Sequence, residues 1–463
     1  MYKKSHFHFV GINGIGMSGI AKILHMQGHI ISGCDLANDK ANIQELTNAK
    51  CKISNQHGSA ICNDDTISTV VYSSDIPYNN PELVRARSKG IKTIQRAAIL
   101  AEIMRTKFSI GVAGSHGKTT TTSIVGHILV QAQTDPTIIV GGIMHNIKNN
   151  ARYGIGKYLV AEADESDRSH LLLPTALTIL TNIDFEHVNV YKNLAEVTET
   201  FTIFLNQIPF YGKAIVCLDD TNIITMIPNI TSSIITYGTT DQADIQAKNI
   251  ILNPSNSSFD IIDNRIQKIL GSITIDMPSI YNVLNTTAAI ATALELEVSF
   301  PVIAQALESF GGIDRRFTYK GIMKSPTVEI FDDYGHHPTE IHHSLITARR
   351  KTKNKLIVVF QPQRYTRTFH LWNEFITAFK TADIDHLIIT DIATANEPAI
   401  ENITGQRLAQ EIAQNKPLYP VQYIPFQPDL EDIKSSILKI TSDNDLLLLL
   451  GAGKINKLAE KLI

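Results

Sequence analysis

An apolar run from Phe108 to Ala113 opens directly into Gly114-Ser115-His116-Gly117-Lys118-Thr119-Thr120, and a helical pattern from Ser123 to Gln131 follows. No other stretch constrains the fold as much. Strand, glycine turn, Gly-Lys-Thr and helix make a nucleotide-phosphate site. Glycines let backbone N–H groups approach the phosphates, Lys118 neutralises the terminal ones, and Thr119 offers a hydroxyl to Mg²⁺. The usual spacing also asks for a glycine five residues before Gly117, where this chain has Val112. The loop is therefore a shortened variant. The alternative, a glycine turn that merely caps a helix, is the weaker one because Gly-Lys-Thr-Thr follows so clear a strand.

A chain of 463 residues has room for roughly two to four domains. With 43% hydrophobic residues it can bury several cores, and its net charge of −3 argues for neither nucleic acid nor an anionic membrane as partner. No run of about 18 apolar residues suggests a membrane span. Cys34, Cys51, Cys62 and Cys217 form no CxxC pair, which fits free thiols in a reducing cytoplasm. Lys3 and Lys4 precede apolar residues as in a leader, but Gly11, Asn13, Gly14 and Gly16 interrupt that run, so a strand entering a glycine turn is the better reading. Nothing in the sequence sets an oligomeric state.

Before the phosphate loop, Phe7–Ile12 reads as a strand, Gly11–Gly16 as a turn, and Met17–Gln27 as a helix closed by Gly28. The next strand, His29–Gly33, delivers Asp35, which lies 19 residues after Gly16. That is the place of a carboxylate that accepts a ribose hydroxyl. Taken alone, this unit would suit a nicotinamide dinucleotide. Thr69–Tyr72 brings Ser73 and Ser74 to a strand end, where two hydroxyls can bind diphosphate or a base edge, or simply cap the loop before Pro77.

After the phosphate loop, Tyr158–Ala161 leads into Glu162-Ala163-Asp164-Glu165-Ser166-Asp167. These four carboxylates in six residues either face a cation or form a solvated acidic loop. Leu177–Thr181 is followed by Asn182 and by Asp184–Tyr191, which contains His187, either a metal ligand or a structural imidazole. Asp219–Ser272 is β-rich and reads as an edge sheet, and Asn282–Leu296 as a helix. Gly311-Gly312 is a hinge candidate. Beyond it, strands Thr327–Phe331, Leu356–Phe360, His386–Thr390 and Asp445–Leu450 alternate with helical segments and carry polar residues at their carboxyl ends, as in a further doubly wound sheet.

Five motifs in order, Gly-Ile-x-Gly-x-Gly-Met-Ser-Gly-Ile-Ala, Gly-Ser-His-Gly-Lys-Thr-Thr-Thr-Thr, Glu-Ala-Asp-Glu-Ser-Asp, Asp-Asp-Tyr-Gly-His-His-Pro-Thr-Glu and Arg-Tyr-Thr-Arg, resemble the Mur ligase family over nearly the whole chain. The resemblance implies an α/β chain of three domains. Residues 1–107 would form an N-terminal Rossmann-like UDP-binding domain. Residues 108–311 would form a central P-loop ATPase-like domain with a mixed sheet, and residues 312–463 a C-terminal Rossmann-like domain. It implies ATP and Mg²⁺ as cofactors. Within the family the motifs stand nearest to members that join L-alanine to UDP-N-acetylmuramate through an acyl phosphate. A recycling ligase that adds a tripeptide to the same sugar nucleotide, and a UDP-sugar-binding protein without catalysis, are the rival readings.

By the same resemblance, Gly14, Ile15, Gly16, Met17 and Ser18 wrap the UDP phosphates, and Asp35, Ser73 and Ser74 contact ribose or uracil. Thr119 and Glu162 hold one Mg²⁺, and Glu162 with His187 holds another. The loop from Gly114 to Thr120, with Asn282, Asn285, Arg316 and Asp333, binds ATP. Tyr334 and His336 face the reacting end, and Arg364 and Arg367 meet the alanine carboxylate. The chain departs from the family pattern at Tyr281 and Gln363, where histidine is usual, and at Glu186 and Asn189, where Asp is usual.

Overall fold

In the computed structural model, which describes residues 4–36, 41–415 and 417–463, the chain builds three sheets in sequence order. Lys3 lies outside the described residues. The first sheet has five parallel strands in the spatial order Lys52–Ser54, Ile30–Cys34, His6–Val10, Thr69–Tyr72, Lys92–Gln95. The order reverses between His6–Val10 and Thr69–Tyr72. Crossovers leave to opposite sides there and open a crevice at the strand ends. The glycine turn and Ser73-Ser74 flank that crevice. The helix after the turn is Ile15–Met26, with Met17, Ile20, Ala21, Ile23 and Leu24 buried.

The second sheet has ten strands. It is parallel from Thr137–Met144 through Ile245–Leu252, and antiparallel strands extend both edges. The β-rich region expected as an edge sheet is one end of it. Phe108–Ala113 lies between Tyr158–Glu162 and Leu177–Leu180, with Val112 opposite Glu162 and Ala113 opposite Leu180. Gly114, Glu162 and Thr181 therefore emerge side by side. Glu162 is the last residue of its strand, not the first of a loop.

The third sheet has six strands, all parallel except the edge strand Thr318–Lys324. Its central strand, Asp445–Leu450, is a run of leucines because both faces are covered. Leu446, Leu448 and Leu450 join one core, and Leu447 and Leu449 the other. Thr327–Asp333 runs two residues further than its apolar pattern predicts. Asp332 is paired with Arg315 at 3.3 Å, so its charge is met inside the sheet.

The expected hinge at Gly311-Gly312 is held in place. Gly311 N–H donates to Asn146 Oδ1 at 2.7 Å and Asp314 N–H to the Ile143 carbonyl at 3.0 Å, and Ile313 bridges Met144. Beyond Asp314 the backbone bonds change partner: the Arg315 carbonyl accepts the Tyr334 N–H at 2.8 Å and the Phe317 N–H donates to Asp333 at 2.8 Å, both in the third domain.

Candidate functional site

The phosphate loop is clamped to the neighbouring strand end. Thr181 Oγ1 donates to the His116 carbonyl at 2.6 Å, His116 N–H donates to Asn182 Oδ1 at 2.8 Å, and Asp184 N–H donates to Ser115 Oγ at 2.8 Å. Gly114 and Gly117 have φ of 123° and 83°, and a Cβ would lie 2.1 Å from Thr181 Oγ1 at the first and 2.5 Å from Asn285 Oδ1 at the second. Only glycine fits either place. Lys118 opens the helix Lys118–Gln131 and folds back over the loop, donating to the Gly114 carbonyl at 2.6 Å and pairing with Glu165 at 2.8 Å. Burial opposes its charge, but Glu165 and Asp164 outweigh that and hold its pKa above the ordinary lysine value.

Glu162 accepts the Gly141 N–H at 2.6 Å and lines the cleft together with Thr119. Burial raises its pKa against the pull of that N–H and of Lys118. A Cβ at Gly141 would lie 2.9 Å from Glu162 Oε2, so glycine is what lets the backbone N–H come this close to the carboxylate. His187 sits elsewhere in the cleft. Its Nε2 lies 3.2 Å from Glu165 and 3.7 Å from Glu186, and the three side chains offer ligand atoms within 4.8 Å of one another. Two carboxylates and an imidazole suit a hard or borderline divalent cation. The structure thus groups Thr119 with Glu162 as expected, and gives His187 the partners Glu165 and Glu186 in place of Glu162. Burial opposes protonation of His187, but those two carboxylates prevail and raise its pKa.

Glu186 joins the second and third domains. It receives Arg367 Nη2 at 2.7 Å and lies 3.2 Å from His336 Nε2. A second junction runs through His116, whose ring nitrogens lie 3.2 Å from Asp184 and 3.3 Å from Glu340. Burial alone would keep His116 neutral, yet the bonds to Asp184 and Glu340 push its pKa up to about 10. His337, with ring centroid 4.8 Å away, is pushed down to about 4 by burial and by the His116 charge. One imidazole of the pair is a cation and the other neutral.

Other expected residues are distributed around two cavities. A cleft of about 510 Å³ is lined by Ile15, Gly16 and Ser74 from the first domain, by Lys118, Thr119, Glu162 and His187 from the second, and by Tyr334, His336, Arg364 and Arg367 from the third. A second cavity of about 440 Å³ is lined by Thr120, Asn282, Asn285 and Asp333. His116, Gly117, Arg316 and Glu340 line both, so the phosphate loop forms the wall between them. Asp333 accepts N–H groups from Phe317 and Gly335, and burial raises its pKa. Tyr334 packs under Arg315 and Arg316. Arg364 pairs with Glu397 at 3.1 Å.

Several residues are used differently from expectation. Ser18 is fully buried. Its hydroxyl donates to the Ile15 carbonyl and accepts from Asn150, and its N–H closes the first helical turn on Gly14. It therefore couples the first domain to the second and faces away from the cleft. The Met17 side chain is likewise buried, which leaves that position only its backbone to offer a ligand. Asp35 Oδ2 accepts the Asn13 N–H at 2.9 Å and fixes the glycine turn. Ser73 Oγ caps Asp75 within its loop.

The expectations from sequence did not include Arg96. It starts the helix Arg96–Met104, lies against Gly16 and pairs with Asp164 at 3.0 Å across the first domain boundary. Nor did they include Asp184 and Glu340. Both sit in motifs beside chosen residues, but their partners lie in distant segments.

Three family models match the chain in order: the Mur ligase family, catalytic domain, over residues 6–108, the Mur ligase middle domain over 112–293, and the Mur ligase, glutamate ligase domain over 315–453. A UDP-N-acetylmuramate–L-alanine ligase of Geotalea daltonii is 44% identical over 464 residues, covering 100% of this chain and 98% of that protein. The solved UDP-N-acetylmuramate–alanine ligase of Thermotoga maritima superposes with a TM-score of 0.81 at 25% identity, covering 99% of this chain and 98% of that one. A murein peptide ligase of Psychrobacter arcticus shares the fold, with a TM-score of 0.73 at 22% identity over 99% of this chain and 98% of that one.

Proposed function

The chain belongs to the Mur ligase family, and from that premise we propose that it joins L-alanine to UDP-N-acetylmuramate, coupled to ATP cleavage, in peptidoglycan precursor synthesis. The observation that carries this reading is the cleft to which all three domains contribute, walled from a second cavity by the phosphate loop. Adenosine in the cavity beside Asn282, Asn285 and Asp333 would send its phosphates across Gly117 into the cleft. The sugar nucleotide would enter from the first domain, with its diphosphate at the N-terminus of Ile15–Met26 beside Arg96.

The lactoyl carboxylate attacks the γ-phosphorus and ADP leaves. The amine of alanine then adds to the acyl phosphate carbonyl, loses a proton, and expels phosphate. Carboxylate and triphosphate repel each other, so the first step needs positive charge between them. Lys118 supplies part of it by exchanging Glu165 for the terminal phosphates. Magnesium, when bound, would screen the rest. Thr119 with Glu162 are donors suited to one ion, and Glu165, Glu186 and His187 to a second. His336, beside Glu186, is the candidate acceptor of the ammonium proton. Arg364 keeps guanidinium N–H groups for the alanine carboxylate beyond the one given to Glu397, while Arg367 is committed to Glu186 and orients that carboxylate.

A phosphate-release assay with ATP, UDP-N-acetylmuramate and a panel of alanine, serine, glycine and the tripeptide tests the reading. Release should require the sugar nucleotide and alanine together. Release supported by the tripeptide and not by alanine would replace this activity with the recycling one.

A further inference from the structure

Away from the cleft, on the other side of the glycine turn, four side chains that no step above uses converge inside the first domain. His8 comes from the strand His6–Val10, Cys34 from the end of Ile30–Cys34, Cys62 from the short helical turn Ala60–Asn63, and Glu82 from the helix Pro81–Ser88. All four are buried, and one ligand atom from each lies within 4.8 Å of the others. We infer that His8, Cys34, Cys62 and Glu82 form a tetrahedral site for a borderline-soft divalent cation, Zn²⁺ being the best match.

The donor set is the first argument. Two thiolates, an imidazole and a carboxylate are zinc ligands. Donors about 2.0–2.3 Å from one tetrahedral ion stand about 3.3–3.8 Å apart, so the most distant pair in the cluster needs to close by about 1.5 Å at most. The second argument is His8 itself. It is 1% exposed, and its Nε2 has no hydrogen-bond partner. Its Nδ1 is held by Ser32 Oγ at 2.9 Å, the outer contact that aims the other nitrogen of a ligating histidine at its metal. Further outer contacts are in place. His57 Nδ1 lies 3.1 Å from Cys34 Sγ, Ser59 Oγ lies 3.3 Å from Cys62 Sγ, and the Gly58 N–H donates to Glu82.

A disulfide between Cys34 and Cys62 is the competing chemistry. It would use two of the four groups and leave His8 Nε2 and the buried Glu82 carboxylate as they are. An ion satisfies all four. Its binding displaces one proton from each thiol, with no change of oxidation state. It would also tie four separate elements together behind the turn, because the Cys34 carbonyl receives the Gly11 and Ile12 N–H groups at 2.8 and 3.3 Å.

The test is Co²⁺ titration of the reduced, full-length chain. One equivalent should give visible ligand-field bands of tetrahedral cobalt with thiolate-to-cobalt charge transfer, and Zn²⁺ should bleach both. Cys34→Ser and Cys62→Ser should each remove about half of the charge-transfer intensity, with retained UDP binding as the check on folding. The Glu165, Glu186 and His187 cluster contains no sulfur and cannot imitate that band. Two results would overturn the proposal. One is no charge transfer in the unsubstituted chain while its four thiols titrate as free. The other is an unreduced chain two hydrogens light with Cys34 bonded to Cys62.

Discussion

Replacing Glu186 by Gln removes one charge and almost no volume. The Glu186 carboxylate is shared by Arg367 at 2.7 Å and His336 at 3.2 Å, both in the third domain, while Glu186 follows a strand of the second. A hydrogen bond to a charged group contributes about 1.5–3 kcal/mol and a neutral one about 0.5–1.5 kcal/mol. The two contacts should therefore lose about 1 kcal/mol each. Arg367, 7% exposed, is left with no counter-charge here, and loss of one partner of a buried pair sets an upper bound of about 3–5 kcal/mol. A loss of about 2–3 kcal/mol in the closed, productive arrangement corresponds to about a 30- to 150-fold fall in kcat/KM for L-alanine. Steady-state phosphate release at saturating ATP and sugar nucleotide measures it, and calorimetry should show sugar-nucleotide binding unchanged. A fall of less than about threefold would refute the bridge. A larger fall reversed by raising Mg²⁺ would assign most of the loss to the ion-holding role of Glu186 and little of it to the bridge.

Lys118→Ala should cost at least about 3 kcal/mol in the barrier, nearly abolishing phosphate release while UDP-N-acetylmuramate still binds in calorimetry; near-normal turnover would mean the phosphate site is elsewhere. Arg364→Ala should raise the KM for alanine more than that for ATP, by about 1.5–3 kcal/mol in equivalent binding, and the reverse pattern would assign Arg364 to the nucleotide. His116 has its pKa raised from 6.5 to about 10, so its bridge between Asp184 and Glu340 contributes fully below about pH 6.5 and is lost as pH rises through about 10. The difference in thermal midpoint between the unsubstituted chain and His116→Gln should shrink across that interval, and a constant difference would contradict the charged imidazole. Lys22 is buried and donates to Asn149 at 2.6 Å and Asn150 at 2.9 Å across the first domain boundary, so Lys22→Met should lower the thermal midpoint and make limited proteolysis release residues before Phe108 sooner.

Local chemistry made much of this legible in the sequence. Leu356–Phe360 and Asp445–Leu450 are apolar on both faces and occur as read, because a strand covered on both sides leaves no other pattern. The phosphate loop was legible because glycine is demanded at Gly114 and Gly117 by the backbone itself. Segment ends were less so. The helix starts at Ile15, before the apolar stripe that marks it, and Glu162 and Asp333 complete strands because neighbouring strands still pair with them. What the sequence could not show are contacts made only by folding. Glu186 and Arg367 are 181 residues apart, and His116 and Glu340 are 224 apart. Neither distance leaves a periodicity or a spacing to read. Of the departures, Tyr281 meets His343 in a tilted ring contact, 4.0 Å between centroids, and Gln363 accepts from Arg367 through its carbonyl and its side chain.

The stitching of Gly311–Asp314 to the second domain fixes where a lever would have its fulcrum. A pivot between the two sets of bonds would fall at Asp314–Arg315, and Arg316 lies 3.5 Å from the Thr119 hydroxyl at the mouth of the phosphate loop. Displacement in a rigid swing grows with distance from the axis. Groups near such a fulcrum, Arg316 and Asp333, would keep their station beside the nucleotide, while Arg364 and Arg367, which follow a strand two places further across the sheet, would travel further. The third domain can then remain in touch with a nucleotide while the far side of the cleft stands open to a small amino acid.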